Sequence, residues 1–150
     1  MSWNSPTGHV GLRNVGSYQI SGHPFVTSSA LTDGAQHQIS FPTVTKKITV
    51  IASGSQGSGA GGSCLRVHFN ATGSGAVVGY ETPRSGSHYI ELDSHEDSIE
   101  FDVKCKSIYL SVPTGHTGGY QLYASLTSIP TSSMYAVTGS GLTNDKANPV

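Results

Sequence analysis

Seven histidines are the residues of this chain with the most versatile chemistry, because an imidazole can act as a general base or bind a metal ion. None of them lies in a spacing that defines a site: the sequence has no histidine pair four residues apart, no Gly-x-Ser-x-Gly and no Cys-x-x-Cys. We therefore expect no catalytic residue, no metal ion and no cofactor, and we predict that the protein is not an enzyme. A catalytic triad assembled only by folding stays open. The histidines are His9, His23, His37, His68, His88, His95 and His116.

Two further patterns resemble ligand sites. Residues 53–63 are almost all Gly and Ser and contain the spacing Gly-x-Gly-x-x-Gly at Gly57, Gly59 and Gly62. A dinucleotide site would need a helix directly afterwards, but residues 64–69 alternate like a strand, so we predict a loop. The acidic run at residues 93–97 is short and has no glycine for the sharp turn of a calcium loop, so we predict a solvated turn.

The composition favours short strands joined by turns. The chain has 150 residues with 19 Gly and 7 Pro, and Ser and Thr are frequent throughout. Only 11% of the residues are charged and the net charge is -1, so we expect neither nucleic acid nor a membrane as partner. No apolar run is long enough to span a bilayer and the N-terminus has no signal-peptide pattern, which indicates synthesis in a cytosol and reduced, buried cysteines.

The centre of the predicted core is residues 98–112. Apolar and polar residues alternate through residues 99–103 and again through 108–112, which is the pattern of half-buried strands. Because only residues 104–107 separate the two runs, we predict a hairpin with one inner face. That face comprises Ile99, Phe101, Val103, Ile108, Leu110 and Val112.

Further short strands are predicted along the rest of the chain. They cover residues 17–20, 37–41, 44–52, 64–69, 87–92 and 120–127. Seven or eight strands without a helical pattern predict an all-β fold with a single β-sandwich domain of jelly-roll or related Greek-key type. The sandwich spans residues 17–128, residues 1–16 form an extended N-terminal arm, and residues 129–150 form a C-terminal tail.

The two ends of the chain are the predicted contact regions. The arm has scattered apolar residues that cannot form a core alone, so it is either a frayed terminus or a segment that docks on a neighbouring subunit. The candidate partner-binding residues are Trp3, Val10, Leu12, Arg13, Met134 and Tyr135.

An alternative function is carbohydrate binding, because β-sandwiches with exposed aromatic residues often stack against sugars. Tyr89, Tyr109 and Tyr123 lie on the outward phase of their predicted strands, while Trp3 and Tyr80 lie in irregular segments. We favour the other interpretation, in which these tyrosines cover a neighbouring sheet or a subunit contact.

Four segments of the chain resemble small virion structural proteins of tailed phages, especially those of marine cyanobacterial viruses. They are GLRNVGSYQISGHPFVT at residues 11–27, DVKCKSIY at 102–109, IPTSSMY at 129–135 and TGSGLT at 138–143. The resemblance implies a capsid decoration or cement protein that binds the major capsid protein on the virion surface after assembly in the host cytoplasm. A neck, tail or fibre component is the next alternative. Such a protein is expected to form a dimer or trimer, and the resemblance implies no catalytic residue.

Overall fold

The computed structural model describes residues 11–12, 15–19, 22–54, 64–69, 89–134, 137–138 and 143–144. Eight strands form two antiparallel sheets of four strands each, packed as a β-sandwich. The strands are β1 (His23–Leu31), β2 (Gln36–Ser40), β3 (Thr43–Ser53), β4 (Leu65–His68), β5 (Ile90–Leu92), β6 (Ser98–Phe101), β7 (Ser107–Ser111) and β8 (Gly118–Pro130). The predicted all-β sandwich is therefore confirmed.

The strand order identifies the topology. Sheet I has the order β1-β8-β3-β6 and sheet II the order β2-β7-β4-β5. Thus β1 pairs with β8, β2 with β7, β3 with β6 and β4 with β5, as in a long hairpin rolled up into two sheets. This nested pairing is the eight-stranded jelly roll, the first of the two topologies predicted from the sequence.

Four short elements accompany the sandwich in the described part of the chain. A four-residue helix, α1 (Gly16–Gln19), precedes β1, and a 3-10 turn (Thr131–Ser133) follows β8. Two short strands, β9 (Val137–Thr138) and β10 (Thr143–Asn144), pair with each other.

The core lies between the two sheets, where alternate residues of each strand face inward. Sheet I contributes Ile48, Val50, Leu122 and Ala124, and sheet II contributes Leu65, Val67, Ile108 and Leu110, all of them fully buried. The predicted inner face of residues 98–112 is also correct, because all six of its apolar side chains belong to this core or pack against it.

The pairing predicted for residues 98–112 is wrong. The two runs are not a hairpin: β6 pairs with β3 in sheet I, whereas β7 pairs with β2 and β4 in sheet II. The five residues between β6 and β7 cross from one sheet to the other. Packed sheets are roughly 10 Å apart, which five extended residues span easily.

The predicted strand at residues 17–20 is also wrong, since residues 16–19 form α1. Side-chain contacts hold this turn: the Tyr18 hydroxyl donates to the Leu12 carbonyl at 2.9 Å, and the Gly11 amide donates to Ser17 Oγ at 3.1 Å. Four residues are too few for alternation to distinguish a strand from a helical turn.

Candidate functional site

A polar cluster lies on the outer face of sheet II. Arg66 and His68 alternate along β4 with the core residues Leu65 and Val67, so their side chains point away from the core. Both are nevertheless buried, and the Arg66 side chain has 0% exposure. We call the group the outer-face cluster; its members are Arg66, His68, Tyr89, Glu91, Tyr109 and Ser111.

Glu91 and Tyr89 both stabilise the positive charge of Arg66. Arg66 Nε donates to Glu91 Oε2 at 3.2 Å, across the pairing of β4 with β5. The guanidinium carbon lies 4.3 Å from the centroid of the Tyr89 ring, which attracts the cation through its negative face. An ion pair and an aromatic face together compensate part of the cost of removing this charge from water.

The other half of the cluster is a histidine–serine pair. His68 Nε2 and Ser111 Oγ are hydrogen-bonded at 2.6 Å, and the imidazole ring stacks on Tyr109 with ring centroids 5.9 Å apart. A serine beside an imidazole has two of the three parts of an acyl-transfer triad. Ser111 has 0% exposure, so its hydroxyl is closed to any substrate in this conformation. The contacts of His68 with Ser111 and Tyr109 therefore indicate a structural role, which is the usual one for a hydrogen-bonded histidine on a strand.

The acidic turn at residues 93–97 is stabilised by a hydrogen bond to one of its own carboxylates. The Ser94 amide donates to Asp97 Oδ2 at 3.1 Å, and Glu96 has a positive φ of 68°. Among the residues that the structure describes, no three His, Cys, Asp or Glu side chains are arranged to hold a metal ion.

Both cysteines are buried thiols. Burial raises the pKa of Cys64 and of Cys105 to about 11, because the thiolate is poorly solvated inside the protein. The thiolate is the reactive form, so both side chains are protonated and inert near neutral pH.

Two of the predicted contact residues, one near each end of the chain, belong to a cluster at one end of the sandwich. Val44, Ile129 and Met134 form a small buried cluster, and Leu12 and Tyr18 pack against it. We call these five residues the end cluster. It brings together Leu12 and Met134, two of the six predicted partner-binding residues. The other four, Trp3, Val10, Arg13 and Tyr135, lie outside the described residues.

The end cluster also refines where the arm and the tail begin. Strand β8 continues to Pro130, past the predicted domain boundary at residue 128, and Met134 is buried. At the other end, Leu12 already packs on the sandwich. The sandwich and the residues that pack on it therefore extend past the predicted bounds 17–128 at both ends.

The outer face of sheet I carries two exposed large side chains. Val26 and Tyr123 are paired in register on β1 and β8 and are 74% and 44% exposed. Farther along the same strands lies a trough of about 510 Å³. Its lining includes Ser28, Ala30, Ser53, Thr117, Gly119 and Gln121.

Gly119 shapes the floor of this trough. A Cβ at this position would lie 2.8 Å from Ser53 Oγ, closer than real Cβ atoms approach, and 3.0 Å from the Ser29 carbonyl oxygen, which is tighter than most such contacts. The absence of a side chain therefore lets three strands pack closely under the trough.

The candidate sugar-binding tyrosines do not share one face. Tyr123 lies on the outer face of sheet I, whereas Tyr109 and Tyr89 belong to the outer-face cluster of sheet II, where they pack on His68 and Arg66. Tyr80 and Trp3 lie outside the described residues. Tyr123 is the exposed platform among the three that the structure describes.

Sequence reasoning missed the outer-face cluster. A signal was present, because Arg66 and His68 are polar residues at alternate positions of an otherwise apolar strand. Their partners come from β5, from Tyr89 directly before it, and from β7, and only the strand order brings these elements beside β4.

Comparison with models of protein families, with curated proteins and with solved structures yields no match for this chain. Over the part of the chain that the structure describes, no helix is both long and apolar enough to cross a membrane.

Proposed function

We propose that this protein is a non-enzymatic structural protein of a phage particle, most specifically a capsid decoration or cement protein. It binds the outer surface of the shell, with the major capsid protein as its partner, and works as a homo-oligomer. It would assemble onto the particle in the host cytoplasm.

The end cluster is the observation that carries this proposal. Leu12 and Met134 pack on the same end of the sandwich with Val44 and Ile129, so residues near both ends of the chain meet at one place on the rigid body. In the proposed mechanism, the chain ends act as two extensions from this place and grip two neighbouring subunits at once. Linked contacts of this kind strengthen binding without any single strong site.

The fold and the buried polar residues support the same function. Jelly rolls recur in viral capsid proteins, which is an argument by analogy of fold. The residues with catalytic potential, His68 and Ser111, are fully buried and hydrogen-bonded to each other. They are suited to stiffening sheet II rather than to receiving a substrate.

The experiment has two parts. Mass spectrometry of purified particles measures copy number relative to the major capsid protein, and a decoration protein is expected at hundreds of copies, against roughly a dozen or fewer for a neck, tail or fibre component. Shells that lack the protein are then incubated with the full chain and with a chain lacking residues 1–10.

The deletion keeps Leu12 and the end cluster, so the sandwich should remain folded while shell occupancy falls roughly tenfold. A chain with residues 1–10 in scrambled order is the matched control for length and composition, and it should also bind weakly. Full occupancy by the truncated chain would contradict the two-extension mechanism, and absence of the protein from particles would contradict the function itself.

A second candidate function is carbohydrate binding, favoured by the exposed Tyr123 beside the trough. The trough residues named above carry hydroxyl and amide groups and no charge, which suits a neutral sugar. A glycan array with the wild type and with Tyr123→Ala tests this candidate, and Gln38→Ala, exposed on sheet II, is the control. A hit that Tyr123→Ala abolishes and Gln38→Ala retains would support it.

A further inference from the structure

The outer edge of β1 is an unusual feature of this jelly roll. Among the residues that the structure describes, strand β1 is an edge of sheet I and pairs only with β8. It is nine residues long, and most of its residues are exposed. Its sequence, HPFVTSSAL, contains no Lys, Arg, Asp or Glu. An edge that is long and uncharged presents unpaired backbone groups to any strand that approaches it.

The other edges of the two sheets are short, and two of them carry an acidic residue, Glu91 on β5 and Glu100 on β6. Strands β2, β5 and β6 have five, three and four residues. Strand β6 carries Glu100, which pairs with Lys47 at 2.8 Å, and Asp102 follows the strand. Short length and charge are the usual protections against unwanted pairing, and β1 lacks both.

We propose that β1 pairs antiparallel with β1 of a second copy of this chain, so that the two copies of sheet I merge into one continuous sheet. A two-fold axis at Thr27, the middle residue of the strand, would bring all nine residues of each copy into register. Such an interface is isologous, which is the commonest arrangement in homodimers.

The composition of β1 favours a second copy as the occupant. In antiparallel self-pairing, the two strands are identical copies related by the two-fold axis. A charged residue near the middle of the strand would therefore lie close to the same charge in the second copy. The strand has no such residue, and its single titratable side chain, His23, lies at one end. Pro24, which has no amide to donate, lies beside it, where one missing hydrogen bond disrupts the pairing least.

Sedimentation velocity of the full chain tests the proposal over a roughly hundredfold range of concentration. A single pair of strands buries less surface than a standard stable interface of roughly 1,600 Å², so we expect a reversible dimer with a dissociation constant in the micromolar range. The double variant Val26→Lys, Ser28→Lys should be monomeric at every concentration, because it places like charges across the axis. Both positions are exposed, so its melting temperature should stay close to that of the wild type.

Gln121→Lys is the matched control. Gln121 is exposed on β8 and lies opposite Ser28 in register, so this variant adds a charge to the same face one strand inward from the edge. It should still form the dimer. If it also abolishes the dimer, the contact uses the face of sheet I and strand pairing is wrong.

Hydrogen exchange identifies the strand directly. Amides of residues 23–31 should exchange more slowly at high protein concentration in the wild type, and amides of residues 98–101 should not change. A wild type that stays monomeric, or a dimer that persists in the double variant, would overturn the proposal. Deletion of residues 1–10 gives a further test. If the dimer and the protection of β1 both disappear, the proposal is also wrong, because the strand that pairs with β1 would then be the N-terminal arm.

The inference deepens the proposed function, since it specifies how copies of the decoration protein meet. The dimer and the decoration role can fail separately, because the sedimentation experiment is done without capsid shells. A monomer that still decorates shells would refute only the dimer, and a dimer that never binds shells would refute only the decoration role.

Discussion

Thr45 and Cys105, which are 60 residues apart in the chain, are joined by reciprocal hydrogen bonds. The Thr45 amide donates to the Cys105 carbonyl at 3.1 Å, and the Cys105 amide donates to Thr45 Oγ1 at 3.0 Å. Thr45 Oγ1 also donates to the Val103 carbonyl at 2.8 Å. Thr45 lies where the register of β3 with β8 shifts. Its hydrogen bonds therefore join this irregularity of β3 to the segment that crosses from sheet I to sheet II.

Replacing Thr45 with Val should destabilise the protein by about 1–3 kcal/mol, because the Cys105 amide would lose its partner in a buried position. Urea unfolding measures the change. Thr45→Ser keeps the hydroxyl and should recover most of the loss, while Thr49→Val, on the same strand but on the outer face, should have little effect. Equal stability of Thr45→Val and the wild type would show that the crossover does not depend on this side chain.

Removing the Ser111 hydroxyl should cost about 1–3 kcal/mol, since it leaves a buried imidazole nitrogen of His68 without this hydrogen bond. A double-mutant cycle with Ser111→Ala and His68→Leu should give a coupling energy of about 0.5–3 kcal/mol. A coupling near zero would mean that the 2.6 Å contact contributes nothing to stability. Ester hydrolysis that Ser111→Ala abolishes would instead contradict the non-enzymatic function.

Neutralising Glu91 should be strongly destabilising. Glu91→Gln removes the charge that faces the fully buried Arg66, and breaking a buried pair by removing one partner costs about 3–5 kcal/mol. Glu100→Gln is the matched control, because Glu100 pairs with Lys47 at the surface and salt screens such a pair. Chemical denaturation of both variants compares them, and equal losses would argue against a structural role for the outer-face cluster.

The two thiols should be unreactive in the folded protein. Burial raises the pKa of both cysteines from 9.0 to about 11, so the unfolded chain releases these protons at lower pH than the folded protein does. The thiols therefore lower stability as pH rises above about 9, and their effect is absent below it. A chromogenic thiol reagent at pH 8 should detect no thiol in the native protein and both in denaturant. Rapid reaction of the native protein would contradict this prediction.

Truncating a core residue of β7 should have a large effect. Leu110→Ala removes a fully buried side chain between the two sheets, which typically costs about 2–5 kcal/mol. Ile90→Ala is the control at an exposed position and should change the free energy of unfolding by about 0.5 kcal/mol or less. Equal losses in thermal or urea unfolding would mean that Leu110 is not central to the core.

Much of the sandwich is predictable because alternation is local. Tyr120, Leu122, Ala124 and Leu126 alternate along the predicted strand at residues 120–127, and all four are in the core. The outer-face cluster was not predictable in this way. Arg66, Glu91 and Ser111 meet only because β4 lies between β5 and β7.

The order of residues along the chain specifies a strand's inner face, because side chains alternate with a period of two whatever the neighbouring strand is. It therefore defined an all-β sandwich and most of its core. Which strands pair was decided by the tertiary structure. Residues 102–106 could either turn back or cross between sheets, and the hydrogen bonds from Thr45, far away in the chain, hold them in the crossing. The contact between Thr45 and Cys105 therefore favours the crossing found in the jelly roll over the hairpin that local alternation suggests.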